Sequence, residues 1–195
     1  MYLLLLCSLT VAAIAIDRFL LYRRASQGAR ALEADVAAAL RKKKLDEVAP
    51  AVKGKDNMVA HLVQSAVDAR VAGEDVPMTL EAAYGEAAML LRARLNYLST
   101  IVTLAPLLGL LGTISGMIQS FSVFNLQAGQ PMAITGGIGE ALIATATGLL
   151  VAIFALVVHT YYAQRMDTML TLLEKTMNTM LAGFAANDGG RSHAS

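Results

Sequence analysis

The hydrophobic and polar positions divide the chain into three long apolar segments and one polar segment. The apolar segments cover residues 1–22, 97–124 and 134–162, and the polar segment covers residues 23–96. Apolar stretches of about this length cross the hydrocarbon core of a bilayer as helices. The first is slightly short, but Arg18 can extend its charged end toward the membrane surface. The pattern therefore predicts an all-α integral membrane protein with three transmembrane helices.

Helical periodicity continues through the polar segment. Apolar residues recur with a spacing of four at Leu32, Val36 and Leu40, and at i, i+3, i+4 and i+7 from Val59 to Ala66. Both patterns are typical of amphipathic helices. Gly73 is suited to end the second of them. We therefore predict a helical domain over residues 23–96.

The second and third apolar segments are predicted to be parts of longer helices. Pro77 suits the first turn of a helix, and no breaker follows it before Pro106. One helix of about 70 Å is therefore expected from Pro77 to Phe124, extending far beyond the membrane. After the third segment, a methionine-rich apolar stripe predicts a helix over residues 163–185 whose methionines serve packing. Residues 186–195 are expected to be disordered.

The distribution of charge predicts the orientation in the membrane. Of the 195 residues, 56% are hydrophobic and only 16% are charged, which argues against a soluble protein. Most of the Lys and Arg residues lie between Arg23 and Arg94, and residues 95–164 contain none. The positive-inside rule then places residues 23–96 and the chain after Arg165 in the cytoplasm. The short loop over residues 125–133 and the N-terminus are expected outside.

A cleaved signal peptide is the alternative interpretation of the first apolar segment. The Ala-Ile-Ala run at residues 13–15 resembles a cleavage pattern, but no basic residue precedes the apolar run. Arg18, Arg23 and Arg24 follow it instead, as in an anchor whose N-terminus lies outside. An uncleaved transmembrane helix is therefore favoured.

The sequence offers no pattern typical of a metal site or an enzyme. Cys7 is the single cysteine, and His61, His159 and His193 are too far apart to form a ligand cluster. The basic run at residues 41–44 is interpreted as a solvated helix end near anionic lipid headgroups, rather than a specific lipid or nucleic-acid site. The apolar segments contain no nucleophile–base pair and no phosphate-binding loop. We expect no metal, no cofactor, no nucleic-acid partner and no enzymatic activity.

Small residues form one face on each of the last two transmembrane helices. On the second helix they are Gly109, Gly112, Thr113, Gly116 and Ser120. On the third helix they are Gly137, Ala141, Ala144, Gly148, Ala152 and Ala155. Such faces let two backbones approach closely, and Pro106 leaves a carbonyl without its helical partner. We assign helix packing to Pro106, Gly109, Gly112, Gly116 and Gly148.

Glu140 is the one formally charged residue between Leu95 and Gln164. A carboxylate inside a membrane is costly and commonly marks an ion or proton pathway, although a position near the surface is tolerated. Thr113, Thr145 and Thr147 could line such a pathway, but a buried Thr most often bonds to a carbonyl one turn back. Thr147 shares a helix face with Glu140, whereas Thr145 is rotated from it by about 140°. Either Glu140 flanks the path, or the two threonines of this helix face different neighbours.

Two stretches of these helices resemble the MotA/TolQ/ExbB proton-channel family, most closely its ExbB and TolQ branch. The first, LAPLLGLLGTISGM from Leu104 to Met117, is similar to the family's APLLGLLGTV-x-G-M run. The second, GEALIATATGL from Gly139 to Leu149, is similar to its I-x-E-AL-x-x-TA-x-GL signature. Both occur in the proper order on neighbouring helices.

The resemblance implies a ring and a set of partners. ExbB-like subunits form a homopentamer whose second and third membrane helices enclose a pore. Two ExbD- or TolR-like single-span subunits sit inside it, each with an essential membrane aspartate. Proton-motive force drives movement between ring and dimer, and the work passes to a TonB- or TolA-like protein. The implied location is the bacterial inner membrane, in contact with its lipids, with the N-terminus periplasmic and the C-terminus cytoplasmic.

The resemblance also implies roles for individual residues. The family's pore threonines correspond to Thr113 and Thr145, and its membrane glutamate corresponds to Glu140. Thr147 is a further pore-lining candidate on its position alone. Threonine hydroxyls accept and donate hydrogen bonds but carry no charge at neutral pH. The titrating group is therefore expected to be the partner's aspartate, with Glu140 shaping the path.

The predicted function is that of a proton channel and motor subunit that energises a periplasmic machine such as TonB-dependent outer-membrane transport. A Tol-Pal-type envelope-maintenance motor is an alternative that would use the same residues. A non-conducting membrane scaffold would explain the small-residue faces equally well, with Glu140 as a helix-pairing group. A flagellar-type stator is a less close alternative, because such proteins usually have four spans. The sequence leaves the client machine open.

Overall fold

The computed structural model describes the backbone of residues 2–42, 47–126 and 131–192, and the side chains of these residues except 123–126, 131–135 and 188–192. The described residues form helices and no strand, which confirms the all-α prediction for this part of the chain. The helices are α1 (Tyr2–Ser26), α2 (Ala29–Arg41), α3 (Val48–Val52), α4 (Met58–Ala72), α5 (Val76–Arg92), α6 (Leu95–Leu126) and α7 (Pro131–Ser192).

Three helical stretches are long and apolar enough to cross a membrane. They lie within Tyr2–Arg41, Val76–Ser122 and Gly136–Asn187. This agrees with the three transmembrane helices predicted from the hydrophobic pattern. Residues 43–46, 127–130 and 193–195 lie outside the described residues, and with them parts of the predicted basic run, outer loop and disordered tail.

The chain divides into two compact units. The first consists of Met1–Arg18 and Arg94–Ala163, and the second of Phe19–Ala93 and Gln164–Ser195. The first unit therefore holds most of α1, all of α6 and the first part of α7. The second unit holds α2 to α5 and the last part of α7.

The core of the first unit is built largely from small side chains of α6 and α7, completed by a stripe of larger residues on α1. Small side chains let helix backbones approach closely, so packing contacts replace a conventional core of large residues. The Tyr162 hydroxyl adds a polar tie, because it donates a 2.8 Å hydrogen bond to the Ala15 carbonyl. The buried residues of this unit include Leu4, Val11, Ile14, Leu98, Ala105, Ala141, Ala144, Ala152 and Ala155.

The second unit has a conventional apolar core. The periodic residues predicted to face inward on α2 and α4 are buried, and so is most of the methionine-rich stripe of α7. Burial of large aliphatic side chains is the main stabilising contribution to such a domain. These buried residues are Leu32, Val36, Leu40, Val59, Leu62, Val63, Ala66, Met169, Leu173, Met180 and Phe184.

Local signals set the ends of α4 and α5. The Asn57 side chain accepts a hydrogen bond from the Ala60 amide at the start of α4. Gly73 ends α4 in the left-handed conformation, with φ of 73°, as glycine does readily. Asp75 then caps α5 by accepting from the Met78 amide. The predicted boundary at Gly73 is confirmed.

The predicted continuous helix from Pro77 to Phe124 is wrong. α5 ends at Arg92, Ala93 leaves the helical conformation with a ψ of 140°, and α6 begins at Leu95. Arg94, between them, has a φ of 67°. This conformation costs a non-glycine residue about 1 kcal/mol or more. No glycine or proline in the sequence predicts the break between the two helices. The Arg94 side chain instead forms an ion pair with Asp17.

α7 extends further than the predicted boundary at residue 185. It continues as helix to Ser192 and therefore includes residues that were expected to be disordered. Once a helix is formed upstream, each added residue gains a backbone hydrogen bond without a new nucleation cost. This gain offsets the low helix propensity of the two glycines in the segment.

A buried carboxylate joins α2 to the last part of α7. Glu33 is only 7% exposed, and its Oε1 lies 3.2 Å from the Nζ of Lys175, whose side chain is 66% exposed. Oε1 accepts no well-oriented hydrogen bond from the described residues. The attraction of the Lys175 charge is therefore what mainly offsets the cost of burying the Glu33 carboxylate.

We predict that Lys175→Ala destabilises the second unit by about 1–3 kcal/mol, because it leaves a buried carboxylate without its counter-charge. The matched control is Lys55→Ala, which removes an exposed pair with Asp35 at 3.8 Å and should cost less than about 1 kcal/mol. Chemical unfolding in detergent, followed by circular dichroism, measures both. Equal losses in the two variants would contradict the role of Glu33 burial.

Candidate functional site

The site is built where the backbones of α6 and α7 come together at two glycines. A Cβ atom added to Gly148 would lie 2.7 Å from the Ala105 carbonyl oxygen and 2.9 Å from the Gly109 Cα. A Cβ added to Gly109 would lie 3.1 Å from both the Ala144 carbonyl oxygen and the Thr145 Cα. The obstructing atoms belong to the backbone and cannot rotate away. At Gly148 only glycine therefore permits this separation, and at Gly109 a larger residue would be tight.

The same contact continues along both helices in antiparallel register. A Cβ on Gly112 would lie 2.6 Å from the Cβ of Ala144, and one on Gly116 would lie 3.1 Å from the Cβ of Ala141. The two small-residue faces therefore lie against each other within one chain. Pro106 lies inside α6, half-buried beside this contact.

Thr145 makes a hydrogen bond between the two helices. Its hydroxyl donates to the Gly109 carbonyl oxygen of α6 at 3.1 Å. A carbonyl oxygen has two lone pairs, so it accepts this bond in addition to its own helical one. The local alternative, a bond to a carbonyl one turn back, is not what this threonine adopts. The close approach at the glycines brings its acceptor within reach.

Thr113 is anchored to the same turn of α6. Its hydroxyl donates to the Leu110 carbonyl oxygen at 2.7 Å, and Leu110 directly follows the residue that accepts from Thr145. The structure therefore brings Thr113 and Thr145 to consecutive carbonyls of one helical turn, which we call the threonine turn (residues 109–113). Thr147 is not part of it, because its hydroxyl donates to the Ile143 carbonyl of α7 itself at 2.7 Å.

Glu140 lies apart from the threonine turn. It precedes Thr145 by five residues, which is about 7.5 Å along the helix axis and about 140° around it. Its neighbour Ala141 is the residue that faces Gly116 of α6. The Glu140 side chain is exposed, and no hydrogen bond or ion pair joins it to another described residue.

Within residues 2–42, 47–126 and 131–192, no group of three or more His, Cys, Asp or Glu side chains is placed to hold a metal ion. The polar groups of the α6–α7 pair include the hydroxyls of Thr113, Ser120, Thr145 and Thr147, backbone carbonyls and the separate Glu140 carboxyl group. Hydroxyls and carboxyls exchange hydrogen bonds with water and with each other. They are the groups from which a proton pathway can be built.

The sequence singled out both threonines as candidates, but the α6 carbonyl that accepts from Thr145 was not predicted. The Gly109 carbonyl carries no side-chain signal, and Gly109 was assigned to packing alone. The partial clue was Gly148, three residues after Thr145, opposite a glycine face on the neighbouring helix. Asp17, which pairs with Arg94, was also not predicted to have a role.

We predict that Gly148→Ala separates α6 from α7 and destabilises the protein by about 1–3 kcal/mol, because the new methyl group meets backbone atoms. The Thr145–Gly109 hydrogen bond should be lost with the contact. Gly136→Ala in the same helix is the matched control, because a Cβ there meets nothing within 4 Å. Thermal unfolding in detergent compares the two, and a Gly148→Ala protein as stable as the control would contradict the packing.

The similarity to known proteins lies in the same region of the chain. Residues 51–175 match the MotA/TolQ/ExbB proton channel family. The chain is 50% identical over 78 residues to the biopolymer transport protein ExbB-like 1 of Synechocystis, covering 36% of this chain and 31% of that protein. It is 32% identical over 108 residues to the Tol-Pal system protein TolQ of Pseudomonas aeruginosa, covering 55% and 47%.

A further relative is the biopolymer transport protein ExbB of Salmonella typhimurium, 38% identical over 74 residues that cover 37% of this chain and 30% of that protein. In these alignments the chain spans less than half of the length of each relative. The family match is broader: it covers more than half of the chain and contains all of α6 and much of α7. The chain belongs to the MotA/TolQ/ExbB proton channel family.

Proposed function

We propose that this chain is an ExbB/TolQ-like subunit of an inner-membrane proton channel and motor. It would use proton-motive force with an ExbD/TolR-like partner to energise a periplasmic machine such as TonB-dependent outer-membrane transport. The observation that carries the proposal is the threonine turn, which lies inside the family match and joins two hydroxyl groups at one level of a membrane helix pair. The family is one of channels and transporters rather than enzymes.

The hydrogen-bond directions suggest what the threonine turn recognises. The hydroxyl hydrogens of Thr113 and Thr145 are both donated to backbone carbonyls, so the oxygen lone pairs are what remains for a neighbour. A lone pair accepts a hydrogen bond from a protonated carboxyl group but repels a carboxylate. The turn would therefore stabilise the protonated form of the partner's membrane aspartate.

Glu140 would contribute to the proton pathway from a different position. It is exposed on the single chain and is displaced from the threonines both along and around α7. A carboxyl group placed about 7.5 Å nearer the start of α7 can pass protons to water or orient them before they reach the threonine turn. Thr147, bonded within its own helix, would line the path without joining the turn.

A ring would cover part of the exposed apolar surface of the first unit. Large side chains on both α6 and α7 are exposed in the single chain and need lipid or protein neighbours. We propose that a homopentamer encloses the pore and that the other side of each subunit faces lipid. The exposed residues include Leu107, Leu111, Ile114, Ile118, Leu142, Ile143, Leu149, Leu150, Ile153 and Phe154.

The proposed orientation follows the charges. Most of the basic residues lie in the polar segment between the first two membrane helices, which belongs on the cytoplasmic side. The N-terminus would then be periplasmic and the C-terminus cytoplasmic.

The proposal predicts that Thr145→Val lowers proton flux about tenfold, the effect of one lost hydrogen bond in the conducting state. Valine keeps the shape of threonine and removes only the hydroxyl. The flux is measured with a pH-sensitive dye in proteoliposomes that contain the chain and its co-purified single-span partner, under an imposed membrane potential.

Thr145→Ser is the matched control for this experiment, because it keeps the hydroxyl and should retain most of the flux. Native mass spectrometry establishes that each variant still assembles with the partner. Wild-type flux from an assembled Thr145→Val complex would refute the role of the threonine turn. Absence of flux from the wild-type complex would favour a non-conducting scaffold.

A Tol-Pal-type envelope-maintenance motor is the second candidate, favoured by the match to TolQ, which covers more of this chain than the two ExbB-type matches described above. The two candidates differ in the periplasmic protein that receives the work. Expression in bacteria that lack both endogenous systems separates them. Restored iron-siderophore uptake indicates the TonB-dependent role, and restored resistance to detergents indicates the Tol-Pal role.

A further inference from the structure

One carboxylate near the end of the first membrane helix binds two arginines. The Asp17 Oδ2 atom accepts from Arg18 Nε at 3.1 Å and lies 3.0 Å from Arg18 Nη2. Its other oxygen, Oδ1, lies 2.7 Å from Arg94 Nη1. All three residues belong to the first unit. The carboxylate therefore connects α1 to the residue directly before α6.

The burial of these groups differs. Arg18 is only 4% exposed, whereas the side chains of Asp17 and Arg94 are 36% and 52% exposed. A charge-assisted pair at 2.7 Å that is partly shielded from water is stronger than a fully solvated one. Arg94 is thus held by a short bond even though its side chain reaches solvent.

The ion pair with Asp17 matters because the Arg94 backbone is strained. Its φ of 67° lies in the left-handed region, which is unfavourable for every residue with a Cβ atom. The first hydrogen bond of α6 depends on this residue, since the Leu98 amide donates to the Arg94 carbonyl at 3.4 Å. The start of α6 is therefore a weak point that the Asp17 contact stabilises.

The same turn of α1 also holds α7. The Ala15 carbonyl accepts the 2.8 Å hydrogen bond from the Tyr162 hydroxyl, two residues before Asp17. One turn of α1, residues 15–18, thus carries a polar tie to the beginning of α6 and another to α7. We call it the α1 clamp.

From this geometry we infer that Asp17 is a positioning residue: through Arg94 it holds the strained start of α6 and keeps that helix in register with α7. The structural part of this inference is independent of proton conduction. Its consequence for flux rests on the proposed function, because α6 carries the carbonyls of the threonine turn.

Hydrogen–deuterium exchange of the full chain in nanodiscs tests the clamp. We predict that Arg94→Gln accelerates exchange of the amides of residues 98–103 roughly tenfold, because it removes the ion pair and keeps the strain. Asp17→Asn should have at least the same effect. Arg94→Gly should accelerate exchange much less, since glycine adopts the left-handed conformation without the steric penalty of a Cβ atom.

Asp35→Asn is the matched control, because it removes a longer, exposed pair with Lys55 and should leave residues 98–103 unchanged. Wild-type exchange in Arg94→Gln would overturn the inference, as would equal acceleration in Arg94→Gly and Arg94→Gln. Flux in the partner complex should fall in Arg94→Gln and largely persist in Arg94→Gly. If the wild-type complex conducts no protons, the proposed function fails while the exchange result still decides the clamp.

Discussion

The contact between the α6 and α7 backbones is the constraint on which the rest of the first unit depends. At Gly109 and Gly148 the nearest atoms are backbone atoms, so the helix separation is set by the absence of side chains. This separation brings the Thr145 hydroxyl to a carbonyl of the other helix. The bond of Thr145 to α6 is thus a consequence of glycine packing, whereas Thr113 bonds within α6 itself.

The two units are stabilised in different ways. The second buries large aliphatic residues and closes its helices with side-chain and glycine caps. The first has few large buried side chains on α6 and α7 and uses single polar ties instead: Thr145 to Gly109, Tyr162 to Ala15, and Asp17 to Arg94. Inside a membrane, close packing and bonds such as that of Thr145 to Gly109 replace the hydrophobic effect as the source of specificity.

Features that depend on helical periodicity could be predicted from the sequence. Features in which a single side chain overrides that periodicity could not. Buried stripes such as Leu32, Val36 and Leu40 follow directly from helical spacing. The break at Arg94 could not be predicted, because a left-handed arginine has no sequence signal and is held by Asp17, 77 positions away in the chain. The Thr145 acceptor was hidden for a similar reason: it is a backbone atom selected by helix separation.

Disulfide trapping within one chain tests the central contact most directly. Cysteines replace Gly116 and Ala141, whose Cβ positions would lie 3.1 Å apart, in a Cys7→Ala background with a protease site in the link between α6 and α7. With α6 and α7 packed as described, the two fragments stay joined after oxidation and cleavage and separate only on reduction. A control pair at the exposed residues Ile114 and Leu142 should not join them. Fragments that separate without reduction, or cross-links only between copies, would contradict the α6–α7 packing described for the single chain.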